Sequence, residues 1–183
     1  MCGILGEYSP KKRGIPLERF KSLLSISKAR GPNESSIKST YGGIRFGFNR
    51  LAILDLSKRA SQPVWSPSGR YLIVFNGEIY NHLELRKRLG DFGKNIKSHG
   101  DTASLAHFID KWGIFNTIEL LDGMFAIGIW DRKAKCLSLA RDFAGIKPLF
   151  YGTNNNGFVF ASQYNQISNH PFFKDEGINQ SVL

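Results

Sequence analysis

GMFAIGIWDRKAKCLSLARDFAGIKPLFYGTNNNGFVFAS, residues 123–162, is a run of short apolar segments cut by charged or Asn/Gly turns. MFAIGIW at 124–130, CLSLARD at 136–142, PLFYG at 148–152 and GFVFAS at 157–162 each have the length and the β-branched or aromatic content of a strand. Toward the N-terminus, strands are expected near 43–49, 51–55 and 70–76, with Ile44, Phe46 and Phe48 alternating onto one face. Residues 2–8 read as a strand entering directly from the terminus. Three helices are expected between these segments. The first covers 16–29, opened by Pro16, with Leu17, Phe20, Leu23 and Leu24 as its buried stripe. The second runs from Asn81 to Leu89. The third runs from Asp101 to Trp112, where Leu105, Phe108, Ile109 and Trp112 fall at helical spacing and Asp101 suits an N-cap. Strands gathered toward the two ends, with helices between, indicate a layered α+β protein of two sheets rather than alternating βαβ units.

A chain of 183 residues that is 42% hydrophobic fits one globular domain, able to bury roughly 70% of its unfolded surface. The segment from 171 to 183 reads as a polar tail or the start of a linker. No stretch reaches the roughly 20 apolar residues of a membrane helix, and no basic region precedes an apolar one at the N-terminus, so a soluble cytoplasmic protein is expected. The net charge of +10 is spread over small clusters such as Arg86, Lys87 and Arg88, none in a nucleic-acid motif, which reads as a solvated surface or one meeting an acidic partner. His82, His99, His107 and His170 show no metal-ligand spacing, and no metal is expected. Cys2 and Cys136 match neither a disulfide framework nor a zinc pattern, and Cys136 reads as a buried apolar residue.

Cys2 lies behind Met1 and before Gly3. Removal of the methionine would expose a residue carrying both a thiol and an α-amine, so that nucleophile and base come from one residue. Taken alone, such a cysteine is more often an ordinary small apolar residue.

Read with its surroundings, it belongs to a pattern. Cys2-Gly3-Ile4, RGPN at 30–33, RLAILD at 50–55, NGEIYN at 76–81, GDT at 100–102, GMFAIGIWD at 123–131 and RDFAGIKPLFY at 141–151 follow one another in this order. Together they resemble the glutaminase domain of glutamine-dependent asparagine synthetases and related class II amidotransferases, over residues 1–170. The resemblance implies an N-terminal-nucleophile (Ntn) hydrolase fold, a four-layer αββα sandwich of two mainly antiparallel sheets. It implies Cys2 as the nucleophile, with the Asn76 side chain and the Gly77 N–H as oxyanion donors. It also implies a glutamine pocket in which Arg50 meets the α-carboxylate, Asp101 and Glu78 meet the α-ammonium, and the backbone of Leu51, Ala52 and Ile53 forms the lining. Free glutamine needs a fixed cation and a carboxylate at its unreactive end, so the residue types suit the ligand.

Several positions depart from the family pattern: Asn33 for aspartate, Ala29 for histidine, Phe48-Asn49 for His-Glu, and Ala103 for glutamate. Lys147-Pro148 reads as a structural turn that in the family lies toward the acceptor domain. The resemblance further implies L-glutamine as substrate and no cofactor for this domain. ATP and Mg would be required only by a C-terminal synthetase domain, or a separate acceptor subunit, whose SGGxDS-type phosphate loop is absent here; a homodimer is compatible with it. Two readings compete. One is the glutaminase of another amidotransferase, serving a phosphoribosyl or hexosamine transferase or amidating a sugar or peptide carboxylate. The other is a catalytically silent basic binding domain.

Overall fold

The computed structural model describes residues 1–10, 14–52, 60–94, 96, 98 and 100–174. Nine strands are found among them: β1 (Gly3–Tyr8), β2 (Glu34–Ser39), β3 (Ile44–Arg50), β4 (Val64–Trp65), β5 (Tyr71–Ile79), β6 (Gly123–Asp131), β7 (Cys136–Arg141), β8 (Phe150–Asn154) and β9 (Gly157–Ala161). The helices are α1 (Leu17–Ser25), α2 (His82–Arg88), α3 (Asp91–Lys94), α4 (Asp101–Trp112), α5 (Ile114–Leu120) and α6 (Tyr164–Ser168). A five-stranded sheet has the order β2-β3-β1-β9-β8, and a four-stranded sheet the order β4-β5-β6-β7. Every ladder is antiparallel.

Strand alternation sorts the apolar side chains into three layers of core. Ile4, Phe46, Phe48, Leu72, Val74, Ala126, Trp130 and Phe160 point inward and pack the two sheets together. Their neighbours point the other way. Leu5, Val159 and Ala161 meet Phe20, Leu23 and Leu24 of α1 and Ile167 of α6, whereas Ile73, Phe75, Ile127 and Ile129 meet Leu105, Ala106 and Ile109 of α4. The result is the expected αββα sandwich. Central strands of both sheets are covered on both faces, which is why MFAIGIW is continuously apolar instead of alternating.

The C-terminal part of the described chain is tied to the first strand. His170 and Glu7 are both buried with Nε2 and Oε2 3.2 Å apart, and Arg45 approaches the other Glu7 oxygen at 3.0 Å. Phe172 and Phe173 pack on the α1 side of the same sheet.

Some expectations are corrected. Leu17 is 45% exposed and outside the buried stripe, because the helix starts there and the stripe consists of Phe20, Leu23 and Leu24. Residues 51–52 leave β3 as non-strand backbone, and 53–55 lie outside the described residues. β8 starts at Phe150, leaving Pro148 and Leu149 in the preceding loop. Cys136 is exposed: it opens β7, which forms the edge of its sheet. β2 and α5 were not expected; ESSIKS is a polar edge strand, and IFNTIEL is too short to establish a helical period. Among the described residues, no helix is long and apolar enough to cross a membrane.

Phe160 is fully buried between the sheets, edge-on to Phe46 at 5.3 Å. Phe160→Ala should cost about 3–5 kcal/mol of stability, read from the midpoint of denaturant unfolding.

Candidate active site

The site is assembled where the N-terminus enters the five-stranded sheet. Gly3 pairs with Asn49 of β3, which brings Cys2 beside the backbone that follows Arg50. A Cβ on Gly3 would collide with the Ser27 hydroxyl, so only glycine allows this approach. Arg30, from the RGPN segment, donates from Nε to the Cys2 carbonyl at 3.2 Å and holds the terminus from the other side. The Leu51 N–H lies 3.4 Å from the Cys2 sulfur, whose S–H can reach the Leu51 carbonyl at 3.7 Å. Burial pushes the thiol above its ordinary pKa. The Leu51 N–H, the terminal ammonium and Arg50 pull it back, and Asp101 pushes it further up.

Arg50 ends β3, is buried, and pairs with Glu34 of β2 at 3.4 Å. Ser61 donates to the same Glu34 oxygen at 2.8 Å. Asn33 accepts the Ala52 N–H at 3.0 Å, so the amide oxygen at this departure from the family pattern supplies an acceptor, as a carboxylate could. At the Phe48-Asn49 departure, Phe48 belongs to the inner core and Asn49 donates to the Leu24 carbonyl at 2.7 Å.

The facing wall comes from β5, which carries Asn76, Gly77 and Glu78 in sequence. Asn76 is 1% exposed, and its Nδ2 has no hydrogen-bond partner among the described residues. A buried amide donor left unpaired costs about 1–3 kcal/mol, and such a cost is retained where a ligand supplies the acceptor. Gly77 faces Phe125 in the ladder, and a Cβ there would meet the Met124 carbonyl.

Asp101 closes the far end. It is buried, and its carboxylate accepts the Ile79 N–H at 3.0 Å. The N-cap of α4 is Gly100, so Asp101 is the first helical residue, and its carboxylate is shared between the β5 backbone and the first turn of its own helix. Burial raises its pKa and the nearby Glu78 adds to this, against hydrogen bonds from the Ile79 and Thr102 N–H groups. Arg86 fixes the approach to Asp101 by donating to the carbonyls of Ser98 and Gly100 at 2.7 and 2.8 Å and to the Ser104 hydroxyl at 2.6 Å.

Between these walls lies a pocket of about 310 Å³, the lower end of the range for small-molecule sites. Cys2, Arg50, Leu51, Ala52, Asn76, Gly77, Glu78 and Asp101 all line it, while Ile53 lies outside the described residues. Met1 lines it beside Cys2, and Gln62, Thr102, Met124 and Lys147, which were not anticipated, line it as well. Gln62 is buried and joins two walls, accepting the Phe75 N–H at 2.6 Å and donating to the Phe75 carbonyl at 3.0 Å and the Thr102 hydroxyl at 3.3 Å. No sequence signal marks it. Lys147 did stand in a recognised segment, but as part of a turn; here it reaches the pocket. Among the described residues, no group of three or more His, Cys, Asp or Glu side chains is placed to hold a metal ion.

The family model described as "Glutamine amidotransferase domain" matches residues 1–183. The chain is 38% identical over 178 residues to a Mycobacterium tuberculosis protein with the provisional name asparagine synthetase [glutamine-hydrolyzing], covering 89% of this chain and 27% of that protein. It is 34% identical over 179 residues to asparagine synthetase [glutamine-hydrolyzing] 3 of Bacillus subtilis, covering 95% of this chain and 28% of that protein. The chain thus spans about a quarter of the length of these relatives. Among solved structures, glutamine phosphoribosylpyrophosphate amidotransferase from B. subtilis superposes with a TM-score of 0.73 at 22% identity, covering 91% of this chain and 43% of that one. At that identity the likeness is one of fold.

The electrostatics of Cys2 yield a prediction for the chain that retains Met1. Alkylation of Cys2, followed by peptide mass spectrometry against pH, should show a midpoint above the roughly 8.5 of a free cysteine. Arg50→Ala should raise the midpoint further by removing a cation that favours the thiolate.

Proposed function

Because the chain belongs to the glutamine amidotransferase domain family, we propose that Cys2 hydrolyses glutamine to glutamate and ammonia through a thioester, and that the ammonia serves an asparagine synthetase-like amidation. The observation that carries this reading is the unpaired, buried Nδ2 of Asn76 on the wall of the pocket that contains Cys2.

In the proposed reaction Met1 is first removed, which frees the α-amine of Cys2 and vacates pocket space. The amine takes the thiol proton, and the sulfur bonds to the glutamine side-chain carbon. The carbonyl electron pair moves onto oxygen, where the Asn76 amide and the Gly77 N–H stabilise it. Collapse of this intermediate breaks the C–N bond, and the amine returns its proton to the leaving nitrogen as ammonia departs. Water then adds to the thioester, the C–S bond breaks, and glutamate leaves with the thiol restored. Through these steps Arg50 holds the α-carboxylate, Asp101 and Glu78 hold the α-ammonium, and Leu51, Ala52 and Ile53 line the site.

Residues 1–170 form the glutaminase domain on this reading, and 171–183 lead toward an acceptor domain. ATP and Mg belong to that acceptor part, and the ring of glutaminase residues needs neither. RGPN and NGEIYN favour the synthetase branch over a phosphoribosyl or hexosamine transferase. A basic binding module is less well supported, since the charge clusters are partly consumed internally: Arg86 clamps the approach to α4, Arg88 pairs with Glu84, and Arg70 with Asp131.

Ammonia release from glutamine by chain freed of Met1 with an aminopeptidase tests the proposal. Cys2→Ala should abolish release, and a variant that kept most of the rate would sink the mechanism. Asn76→Ala should lower kcat by about 10²–10³ with KM little changed, as loss of one oxyanion donor does. The pH dependence should expose Asp101. The ionised carboxylate is the form that holds an ammonium, and its pKa is raised, so KM for glutamine should climb as pH falls while still above the roughly 3.9 of a free aspartate. Asp101→Asn should have a high KM that no longer responds in that range. An identical acid limb in Asp101→Asn would remove Asp101 from the ammonium site.

A further inference from the structure

Lys147 is 6% exposed and lines the pocket, yet its ammonium has no hydrogen-bond or ion-pair partner among the described residues. A cation on a pocket wall that no protein anion holds is available to the negative charge of a ligand. The loop leading to it is built to hold one position. Asp142 accepts the Ile146 N–H at 2.7 Å on one carboxylate oxygen and the Lys147 N–H at 3.0 Å on the other. Arg141 donates to the carbonyls of Lys147 at 2.8 Å and Gly145 at 2.6 Å. Burial tends to raise the Asp142 pKa, but the N–H groups of Lys147, Ile146 and Phe125 outweigh it and hold the carboxyl below its ordinary range.

The Asp142 oxygen that holds Lys147 also accepts the Phe125 N–H at 3.2 Å. Phe125 is the residue opposite Gly77 in the β5–β6 ladder. The Lys147 backbone is therefore tied to the strand pair that carries Gly77, whereas the Arg50 side chain is held by Glu34 on the other sheet.

Charge matching then separates the two cations. The zwitterionic end of glutamine is matched by Arg50 with Asp101 and Glu78. Its amide end is neutral in the substrate and in the thioester, but negative in each tetrahedral intermediate and in the glutamate product. We infer that Lys147 is the cation for this second charge: its ammonium, carried on backbone tied to the Gly77 strand pair, stabilises the oxyanion and then binds the γ-carboxylate of glutamate. The inference rests on the glutaminase reading. It gives Lys147 a preference for product over substrate, so the site discriminates glutamate from glutamine by the charge at the amide end.

Calorimetric titration of Cys2→Ala chain freed of Met1 measures glutamine and glutamate binding without turnover. Adding Lys147→Gln should weaken glutamate by about tenfold or more, as loss of a hydrogen bond to a charged group does, and glutamine by less than about twofold. Lys147→Arg should keep the parent's glutamate affinity to within about threefold, since the charge remains. In chain with Cys2 intact, Lys147→Gln should lower kcat with KM for glutamine nearly unchanged. If Lys147→Gln melts early, Lys147→Met keeps the buried stem and carries the same test. Equal losses for both ligands, or no loss for either, would overturn the assignment while leaving the glutaminase reading standing. Absence of both ammonia release from the Cys2 chain and glutamine binding by the parent would instead defeat that reading, and the Lys147 assignment with it.

Discussion

The antiparallel pairing of β1 with β3, with Gly3 opposite Asn49, is the constraint on which the site depends. It delivers the chain terminus to the point where β3 ends and the Arg50–Leu51 backbone turns away. A terminal residue has no chain on one side to restrain it, so a nucleophile there needs anchoring from outside. The ladder holds it along the strand, Arg30 holds its carbonyl, and the Leu51 N–H lies against its sulfur. Glycine at position 3 is required because Ser27 occupies the space of a side chain.

The pocket is a seam between the two sheets, and its charges are kept apart by the elements that bear them. Arg50 and Glu34 come from neighbouring strands of one sheet, and Asn76, Gly77 and Glu78 from the central strand of the other. Asp101 comes from the first turn of the helix packed on that second sheet. Their positions follow from strand register, which a buried apolar face defines strongly because a one-residue slip would turn every inner side chain outward. Catalytic geometry and core packing thus rest on the same contacts: Leu72 and Val74 seal the sheets together on the strand that presents Asn76.

The polar groups around the pocket divide into two kinds. Gln62, Asn49, Asp142 and Arg86 are satisfied internally and fix loops or join walls. The Asn76 amide and the Lys147 ammonium are left unmatched within the described protein, and both belong to residues lining the same pocket. The buried Asn76 amide is retained at a cost in stability, and the chemistry of a ligand is the physical reason to retain it.

Much of the fold was legible in the sequence because its strands and α4 are long and apolar enough to show their period, and the segment order from Cys2 to RDFAGIKPLFY pointed to the family. What the sequence hid were elements whose stability comes from neighbours: β2 forms on the edge of β3, α5 leans on α4, and Cys136 is exposed because β7 has no strand beyond it among the described residues. The sequence by itself determined the α+β class, the nucleophile candidate and the residue types of a glutamine pocket, since these follow from local period and side-chain chemistry. Only the tertiary structure decided that Asp101 stands one residue inside its helix and bonds the β5 backbone, that Gln62 joins the two walls, and that Lys147 reaches the pocket. Each depends on contacts between residues far apart in the chain, where burial and register, not local propensity, select the partner.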